Sequence, residues 1–515
     1  MLLFGPLILT MWPFSSNSAS SSAIITNRLD ALRTAESKLL EYAKSRFLNS
    51  ADSSESNIRF ELFDTPIDIP SVIRRHDDAS GPGNSVAMVI PELSNNEDLQ
   101  KFTIHGVKVT NDQLNDKSLP PPLVLLHGYA NGSLYFYRNF MGLSKYFGTV
   151  YALDMLGWGL SSRPKFDLIS SPSSDLPSSS SDDVDSTIAT RNAESFFVES
   201  LESWRVKHNL SKMTLAGHSM GGYIATAYAE RYPNRVHKLI LLSPVGVPHP
   251  PSIEERRTMM SNLPFYVRYV FKMVRYLFDS RGITPGDFLR SLPLYKSREF
   301  VDSYINRRLP AITDVDERSV LGEYLYQNSM LPGSGEYCLT DILTSSAHAR
   351  VPLVERIPHL VPAAAAGTSD GLEIHTIYGE RDWMDYTGGF DAQRLCNARR
   401  LEWETNGRVG EPPPKVFVHG IQNAGHLLML DNNEEFNFAV IQAANGNIDN
   451  EGGGGGGFSS RLKKTRGESG VSSSDSHLFL NEVSAALFFR GPRWNVKSEE
   501  KDDGDDSSEE KKVDS

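Results

Sequence analysis

The chain has 515 residues, a net charge of −12 and only two cysteines. That length leaves room for one core of about 250 to 300 residues with insertions and tails. The acidic charge is local, because residues 170–190 and 499–515 carry most of it and leave about −2 elsewhere. A nearly neutral body gives no basis for nucleic-acid binding. Two cysteines argue against a disulfide framework, a cysteine-rich zinc site and secretion.

The first 57 residues are predicted to form an anchor or transit segment followed by an amphipathic helix. Met1–Phe14 is apolar, but it contains two prolines and is shorter than the roughly 18 residues that a membrane span needs. The serine-rich residues 15–22 and the absence of acids before Asp30 favour a transit segment or an interfacial anchor over a frayed terminus. From 26 to 47, leucines recur at helical spacing, so this helix should pack against the main domain or lie on a membrane.

Apolar runs alternate with helical patterns along most of the chain. The predicted strands are 58–63, 102–109, 123–126, 149–153, 212–216, 237–242, 372–378 and 415–419. The run at 123–126 has no polar residue, as expected for a parallel strand buried on both faces. The alternation therefore predicts an α/β fold with a mostly parallel central sheet flanked by helices.

Composition divides this fold into parts. The predicted parts are a core at 58–242 with a disordered insertion at 165–190, a helical cap at 243–371 inserted after the sixth strand, the second part of the core at 372–445, a Gly/Ser-rich insertion at 446–477, a C-terminal helix at 478–492 and an acidic disordered tail at 493–515. The insertion at 165–190 is assigned from its serines and prolines. The cap is assigned because 243–371 has helical periods without strands.

The fifth predicted strand runs into Gly217-His-Ser-Met-Gly221, and a helical period follows. A glycine on each side allows the sharp strand-to-helix turn that exposes Ser219 at the helix N-terminus. The G-x-S-x-G pattern alone has little specificity. Its position between a strand and a helix makes Ser219 a candidate nucleophile.

Acyl transfer through a serine needs a base, an acid that orients the base, and amides for the oxyanion. His426 follows the last predicted strand and is the candidate base; Asp382 follows the preceding strand and is the candidate acid. Asp385, three residues further on, is the rival to Asp382. The chain order serine, aspartate, histidine is that of α/β hydrolases, so an α/β-hydrolase fold is predicted.

Two further groups are assigned around these candidates. The backbone amides of Met220 and of Tyr129 or Ala130 are predicted to form the oxyanion hole, because they follow the fifth and third strands. His127 and Asp154 also follow strands, but they are expected to hold loops and not to react. No metal or resident cofactor is predicted.

Several segments together carry a family resemblance. They are HGYANGSLYFYRNF, LDMLGWGLSSRP, AESFFVESLESWR, GHSMGGYIA, YGERDWMDY and GHLLMLDN. This set resembles the α/β-hydrolase-domain subgroup that includes the lipid-droplet lipase coactivator, plant lysophosphatidate acyltransferases and, closest in appearance, fungal cardiolipin-specific deacylases. The resemblance implies action on glycerophospholipids. Because the coactivator branch has asparagine at the nucleophile position, Ser219 implies an active enzyme.

Three functions remain in competition. The first is a serine acyl hydrolase that deacylates a membrane glycerophospholipid such as cardiolipin. The second is a lysophospholipid acyltransferase with acyl-coenzyme A as co-substrate, for which the resemblance points to the H-x-x-x-x-D motif His426 to Asp431. Chance occurrence of that spacing favours a structural role for Asp431. The third is a non-catalytic lipase-binding scaffold, which Ser219 disfavours.

The cap contains one basic and aromatic segment, PFYVRYVFKMVRYLF at 264–278. Helical spacing places Arg268, Lys272 and Arg275 in one stripe that could contact membrane phosphates. The alternative, slightly preferred from the sequence, is a cap helix packed over the pocket with its basic edge in solvent. A peripheral association with membranes is expected, with a mitochondrial location and lipid droplet or cytoplasm as alternatives.

Overall fold

The computed structural model describes residues 18–48, 57–70, 99–114, 119–164, 182–361 and 370–445. The N-terminal apolar segment, the Gly/Ser-rich insertion, the predicted C-terminal helix and the acidic tail lie outside the described residues.

An eight-stranded sheet forms the centre of the described structure. Its strands are β1 (Ile58–Pro70), β2 (Leu99–Asn111), β3 (Leu123–Leu126), β4 (Thr149–Leu153), β5 (Met213–His218), β6 (Val236–Leu242), β7 (Glu373–Gly379) and β8 (Lys415–Ile421). The spatial order is β1-β2-β4-β3-β5-β6-β7-β8. The β1–β2 and β2–β4 pairs are antiparallel, and all later pairs are parallel. The predicted α/β-hydrolase fold with a mostly parallel sheet is therefore confirmed.

Burial on both faces explains the apolar central strands. Side chains alternate across a sheet, so Val124 and Leu126 of β3 join one hydrophobic cluster, and Leu123 and Leu125 join the other. All four are almost completely buried. Because β3 to β8 run parallel, their carboxyl ends lie at one edge of the sheet, and the loops after them meet there.

Helices cover both faces of the sheet. The core helices are α1 (Ser18–Leu48), α2 (Phe140–Phe147), α3 (Asp182–Lys207), α4 (Met220–Arg231), α12 (Thr387–Thr405), α13 (Leu428–Asp431) and α14 (Asn433–Asn445). The expected disordered insertion was wrong for residues 182–190, because α3 already begins at Asp182.

The cap lies between β6 and β7, after the sixth strand as predicted. Its helices are α5 (Ile253–Ser261), α6 (Phe265–Arg275), α7 (Pro285–Ser291), α8 (Leu294–Arg308), α9 (Val315–Ser329), α10 (Leu339–Ile342) and α11 (Leu353–Arg356). A π-helical turn at Tyr276–Ser280 extends α6. From α5 to α7 these helices contain no buried residue, whereas α8 and α9 contribute to the core.

Helix α1 packs against the protein. Leu32 and Leu39 are fully buried, in the same hydrophobic cluster as residues of β3 and of the cap helix α9. Arg28 also donates to the backbone oxygen of Met330, just after α9. Of the two placements that the sequence left open for this helix, the described part takes the one against the main domain.

Within the described residues, no helix combines the length and apolar character required to cross a bilayer. Cys338 and Cys396 are both buried and free.

Candidate active site

The turn between β5 and α4 places Ser219 at a strained backbone position. Its φ is 53°, a left-handed value that is uncommon for serine. The neighbouring glycines are required by space: a Cβ on Gly217 would lie 2.1 Å from the Gly221 oxygen, and one on Gly221 would lie 2.5 Å from the Leu126 oxygen. The Ser219 amide donates to the Leu242 oxygen at 2.9 Å. The strained serine is thus held from both sides, as at nucleophile elbows.

His426 and Asp382 meet at the ends of β8 and β7. His426 Nδ1 donates to Asp382 Oδ1 at 3.1 Å, and the Met384 amide donates to the same oxygen at 3.0 Å. The Asp382 side chain is fully buried. Burial would raise the pKa of Asp382, but the charge and hydrogen bond of His426 outweigh it and leave the pKa lowered. A buried, ionised carboxylate at Nδ1 leaves Nε2 of His426 to accept a proton.

Asp385 has a different role. Its Oδ1 accepts from the amide and the hydroxyl of Thr387, at 3.0 and 2.6 Å, where α12 begins. The residue is exposed. The geometry therefore directs Asp382, and not Asp385, to His426.

His218 and Trp383 flank His426, and the sequence interpretation assigned neither. The ring centroids of His218 and Trp383 lie 4.8 and 4.9 Å from that of His426. His218 Nε2 donates to the His426 backbone oxygen at 2.8 Å. Burial, and then the neighbouring His426, lower the pKa of His218 to about 3, so the ring is neutral. The sequence offered one indication of their roles: His218 directly precedes Ser219, and Trp383 directly follows Asp382.

The predicted oxyanion residues lie on either side of Ser219. Met220 is the first residue of α4. On the other side, a Cβ on Gly128 would lie 3.1 Å from the Ser219 Cβ, so the chain that leads to Tyr129 and Ala130 passes directly beside the serine. Ala130 has a φ of 58°. The loop that carries Tyr129 and Ala130 therefore begins beside Ser219, and their role in an oxyanion hole stays a prediction.

The cap holds this loop in place. The Gly286 amide of α7 donates to the Tyr129 hydroxyl at 3.1 Å, and Asn328 Nδ2 of α9 donates to the Ala130 oxygen at 3.3 Å. Neither cap residue carries a sequence signal, because the contacts span more than 150 residues.

His127 and Asp154 connect loops, as expected. His127 Nδ1 donates to the Gly128 oxygen at 2.7 Å, and its Nε2 accepts from the Met155 amide at 3.1 Å. Asp154 accepts from the amides of Ser133 and Leu160 at 2.6 and 2.8 Å. Burial lowers the pKa of His127. Both side chains use these atoms to fix backbone near the site.

Asp431 braces the loop that carries His426. Its Oδ2 accepts from the Gly425 amide at 2.8 Å, whereas its buried Oδ1 has no hydrogen-bond partner among the described residues. Burial raises the pKa of Asp431. The first contact fits the structural role, and the second leaves one oxygen available to another group.

A cavity opens between the predicted oxyanion loop and the cap. Tyr129, Ala130 and Asn131 form part of its wall. The apolar cap residues on the wall are Leu289, Phe300, Val301, Leu325 and Leu331. Ser219 and His426 are not wall residues, so the cavity adjoins the site from the oxyanion side.

One cluster of the described residues has the composition of a metal site: Glu36, His105 and Asp154. Both His105 nitrogens already donate to carboxylates, Nδ1 to Asp64 at 2.8 Å and Nε2 to Glu36 at 3.0 Å. Asp154 is occupied by two backbone amides. The cluster is therefore an ion-pair network that anchors α1.

The basic stripe of α6 lies far out on the cap surface. Arg268, Lys272 and Arg275 are exposed, and so are several aromatic residues of the helix. The basic edge lies in solvent, as the slightly preferred expectation had it, and the opposite side of α6 is partly buried, but no residue of the helix lines the cavity. Within the cap, α8 and α9 contribute buried residues to the core.

A serine at the β5–α4 elbow, with a histidine after β8 and an aspartate after β7, has the chain order and placement of an α/β hydrolase. A family model described as "alpha/beta hydrolase fold" matches residues 121–433. The chain belongs to this family.

Similar proteins place the chain in a smaller group within the α/β-hydrolase family. A "Probable 1-acylglycerol-3-phosphate O-acyltransferase" of Oryza sativa is 30% identical over 63% of this chain and 67% of its own. The mouse "1-acylglycerol-3-phosphate O-acyltransferase ABHD5" is 31% identical, over 62% and 76%. "Protein ECM18" of Saccharomyces cerevisiae is 27% identical, over 67% and 77%. The resemblance to the subgroup around the lipid-droplet coactivator is confirmed.

Solved structures also resemble the chain. A bacterial membrane phospholipase A covers 67% of this chain and 83% of its own, with 19% identity and a TM-score of 0.40. Carboxylesterase CesB of Bacillus subtilis covers 68% and 89%, with 19% identity and a TM-score of 0.35.

Proposed function

We propose that the protein is a serine acyl hydrolase that removes a fatty acyl chain from a membrane glycerophospholipid. The main support is the strained Ser219 at the β5–α4 turn, together with His426, whose Nδ1 donates to the buried Asp382 carboxylate. A lipase-regulating scaffold would need neither feature. Cardiolipin as substrate and a mitochondrial location are the finer form of this proposal, supported by the sequence resemblance.

The reaction follows from the positions of these groups. Ser219 Oγ attacks the ester carbonyl while His426 Nε2 takes its proton, and Asp382 stabilises the imidazolium that forms. The amides of Met220 and of Tyr129 or Ala130 hold the oxyanion. His426 then protonates the departing lysophospholipid oxygen. A water attacks the acyl-enzyme with His426 as base, which releases the fatty acid and restores Ser219.

We assign the cavity under the cap to the acyl chain because of the residues that line it. It begins at the predicted oxyanion loop, and its cap wall is mostly aliphatic and aromatic. Burial of methylene groups contributes roughly 0.8 kcal/mol each, so such a cavity would select a long chain over a short one. This supports a lipid ester over a small soluble ester.

The decisive variant is Ser219→Ala. Release of fatty acid and lysolipid from phospholipid, followed by mass spectrometry, should fall by roughly 10³-fold or more, because positioning alone cannot replace a nucleophile. Labelling by a fluorophosphonate probe should disappear. Ser45→Ala, on the exposed side of α1, is the control and should retain full activity. Retention of more than about a tenth of the activity by the first variant would refute the proposal.

A second candidate, a coenzyme A-dependent acyltransferase, is favoured by one observation. The buried Asp431 Oδ1 has no partner among the described residues, and burial raises the pKa of the carboxyl group. A carboxyl group in that state could receive a proton from an acceptor hydroxyl. The plant and mammalian relatives are named for this activity.

Asp431→Asn separates the two candidates. If Asp431 only holds the His426 loop, hydrolysis and transfer from acyl-coenzyme A to lysophosphatidate should fall by the same factor, which we expect. A loss of transfer with hydrolysis preserved would favour the acyltransferase. Both rates can be followed in one assay, by free fatty acid and by new diacyl lipid.

A further inference from the structure

Helix α6 and the π-helical turn after it present an unusual outer surface. Phe265, Tyr269 and Tyr276 have 67%, 70% and 54% of their surfaces exposed. Large aromatic side chains on a water-soluble surface occur singly in most proteins, whereas these recur at helical spacing on one side. The feature therefore needs an explanation beyond chance exposure.

Two stripes run side by side along this helix. Phe265, Tyr269, Met273 and Tyr276 form the apolar stripe, because positions four and three apart share a helix side. Arg268, Lys272 and Arg275 each directly precede a member of that stripe, about 100° away around the helix axis. The remaining side, with Val267, Phe271 and Val274, is partly buried toward the protein.

The basic stripe is largely uncompensated. Among the described residues, no acidic group pairs with Arg268 or Lys272. Arg275 Nε lies 3.6 Å from Asp279, and its side chain is 71% exposed. Surface pairs of this kind contribute little, so three positive charges remain available beside the apolar stripe.

We infer that this surface, which we call the α6 face, docks on an anionic phospholipid bilayer. The α6 face comprises Phe265, Arg268, Tyr269, Lys272, Met273, Arg275 and Tyr276. This inference deepens the proposed function by naming how the enzyme reaches a membrane substrate. The biological purpose of docking rests on the proposed function, but docking itself requires no turnover and can be measured without it.

Charge and chemistry favour a bilayer over a protein as the occupant. Tyrosine and phenylalanine rings suit the boundary between headgroups and acyl chains, and adjacent cations can pair with lipid phosphates. Each cation near an anionic surface contributes about 1 kcal/mol. Residues 264–278 contain no acid that phosphates would repel.

Flotation of the full chain with vesicles tests the inference. All proteins carry Ser219→Ala, so that binding is measured without lipid breakdown. The probes are vesicles of phosphatidylcholine alone and of phosphatidylcholine with one third phosphatidylglycerol. The parent should bind the anionic vesicles more tightly, and added salt should weaken that binding.

Two sets of substitutions divide the stripes. Arg268→Gln with Lys272→Gln and Arg275→Gln should weaken binding to anionic vesicles about a hundredfold, from the loss of three cations. Phe265→Ser with Tyr269→Ser should weaken it at least about tenfold, from lost apolar burial.

The matched control lies on α12. Arg394→Gln with Leu401→Ser removes an equally exposed cation and an equally exposed apolar residue and should bind like the parent. Circular dichroism and the melting temperature establish that each variant is folded.

Equal binding of the α6 variants and the parent would overturn the inference, and so would a parent that does not bind anionic vesicles. Sedimentation in which only the parent forms a dimer would assign the face to a second copy and would also overturn it. Because no arm depends on catalysis, these results are independent of whether Ser219 reacts.

Discussion

Asp382 and Asp385 lie three residues apart in one loop, yet their carboxylates have different partners. Asp382 accepts a hydrogen bond from His426, whereas Asp385 caps the start of α12 through Thr387. The sequence alone left the two in competition, because both follow β7 and either could reach toward the last strand. Three-dimensional placement is what separates them.

Substitution of each aspartate by asparagine tests this division. Asp382→Asn should lower turnover by roughly 10³ to 10⁴-fold, because the amide cannot stabilise the imidazolium or fix its tautomer. Asp385→Asn should lower turnover by only a few fold. Kinetics on one phospholipid substrate measures both. Similar losses in the two variants would contradict the assignment of Asp382 as the orienting acid.

At the residue scale, the sequence predicts local motifs but does not predict contacts between residues that are far apart along the chain. The strained turn at Ser219 could be predicted because the glycines that it requires are near neighbours in sequence. The hydrogen bond of His218 to the His426 backbone joins residues 208 positions apart. No periodicity or spacing encodes such a contact, so a sequence of one chain cannot give it.

At the scale of elements, α1 is fixed by a buried ion-pair network. His105 of β2 donates to Glu36 of α1 and to Asp64 of β1, and Asp154 after β4 adds its negative charge. Burial would lower the pKa of His105, but these partners raise it to about 9. Burial raises the pKa of Glu36, although the imidazolium opposes this. The apolar spacing of α1 predicted a buried face, but it gave no sign of the charged pair within that face.

The network makes a prediction about stability and pH. Because the pKa of His105 rises from 6.5 to about 9 on folding, its contribution is fully present below about pH 6.5 and is lost as the pH rises through about 9. This amounts to roughly 3 kcal/mol of unfolding free energy. Denaturant unfolding at pH 7 and pH 10 measures it.

His105→Gln provides the comparison, because glutamine cannot titrate. The variant should be less stable than the wild type at pH 7, since Glu36 loses its charged partner. Its unfolding free energy should fall less between pH 7 and pH 10 than that of the wild type. Parallel falls in the two proteins would show that His105 does not carry this pH dependence.

At the scale of the whole molecule, the cap has two different parts. Helices α8 and α9 bury apolar residues, and Asn328 of α9 donates to the Ala130 oxygen in the predicted oxyanion loop. Helices α5 to α7 bury none. The sequence predicted a helical cap in the right place. It could not show which cap helices pack inward, because all of them carry apolar residues. Which helix packs inward depends on contacts with the core, and this is why the sequence could not show that α6 stays off the cavity wall.

The cavity between cap and core gives the last prediction. Leu289 of α7 is half-buried on its wall, so Leu289→Trp should fill space that a long acyl chain would occupy. The ratio of kcat/KM for a palmitoyl ester to that for a butyryl ester should fall about tenfold, since loss of pocket space costs methylene contacts. Leu401→Trp, exposed on α12, should leave the ratio unchanged. If the ratio is the same in both variants, the acyl chain lies elsewhere, and the cavity does not set chain length.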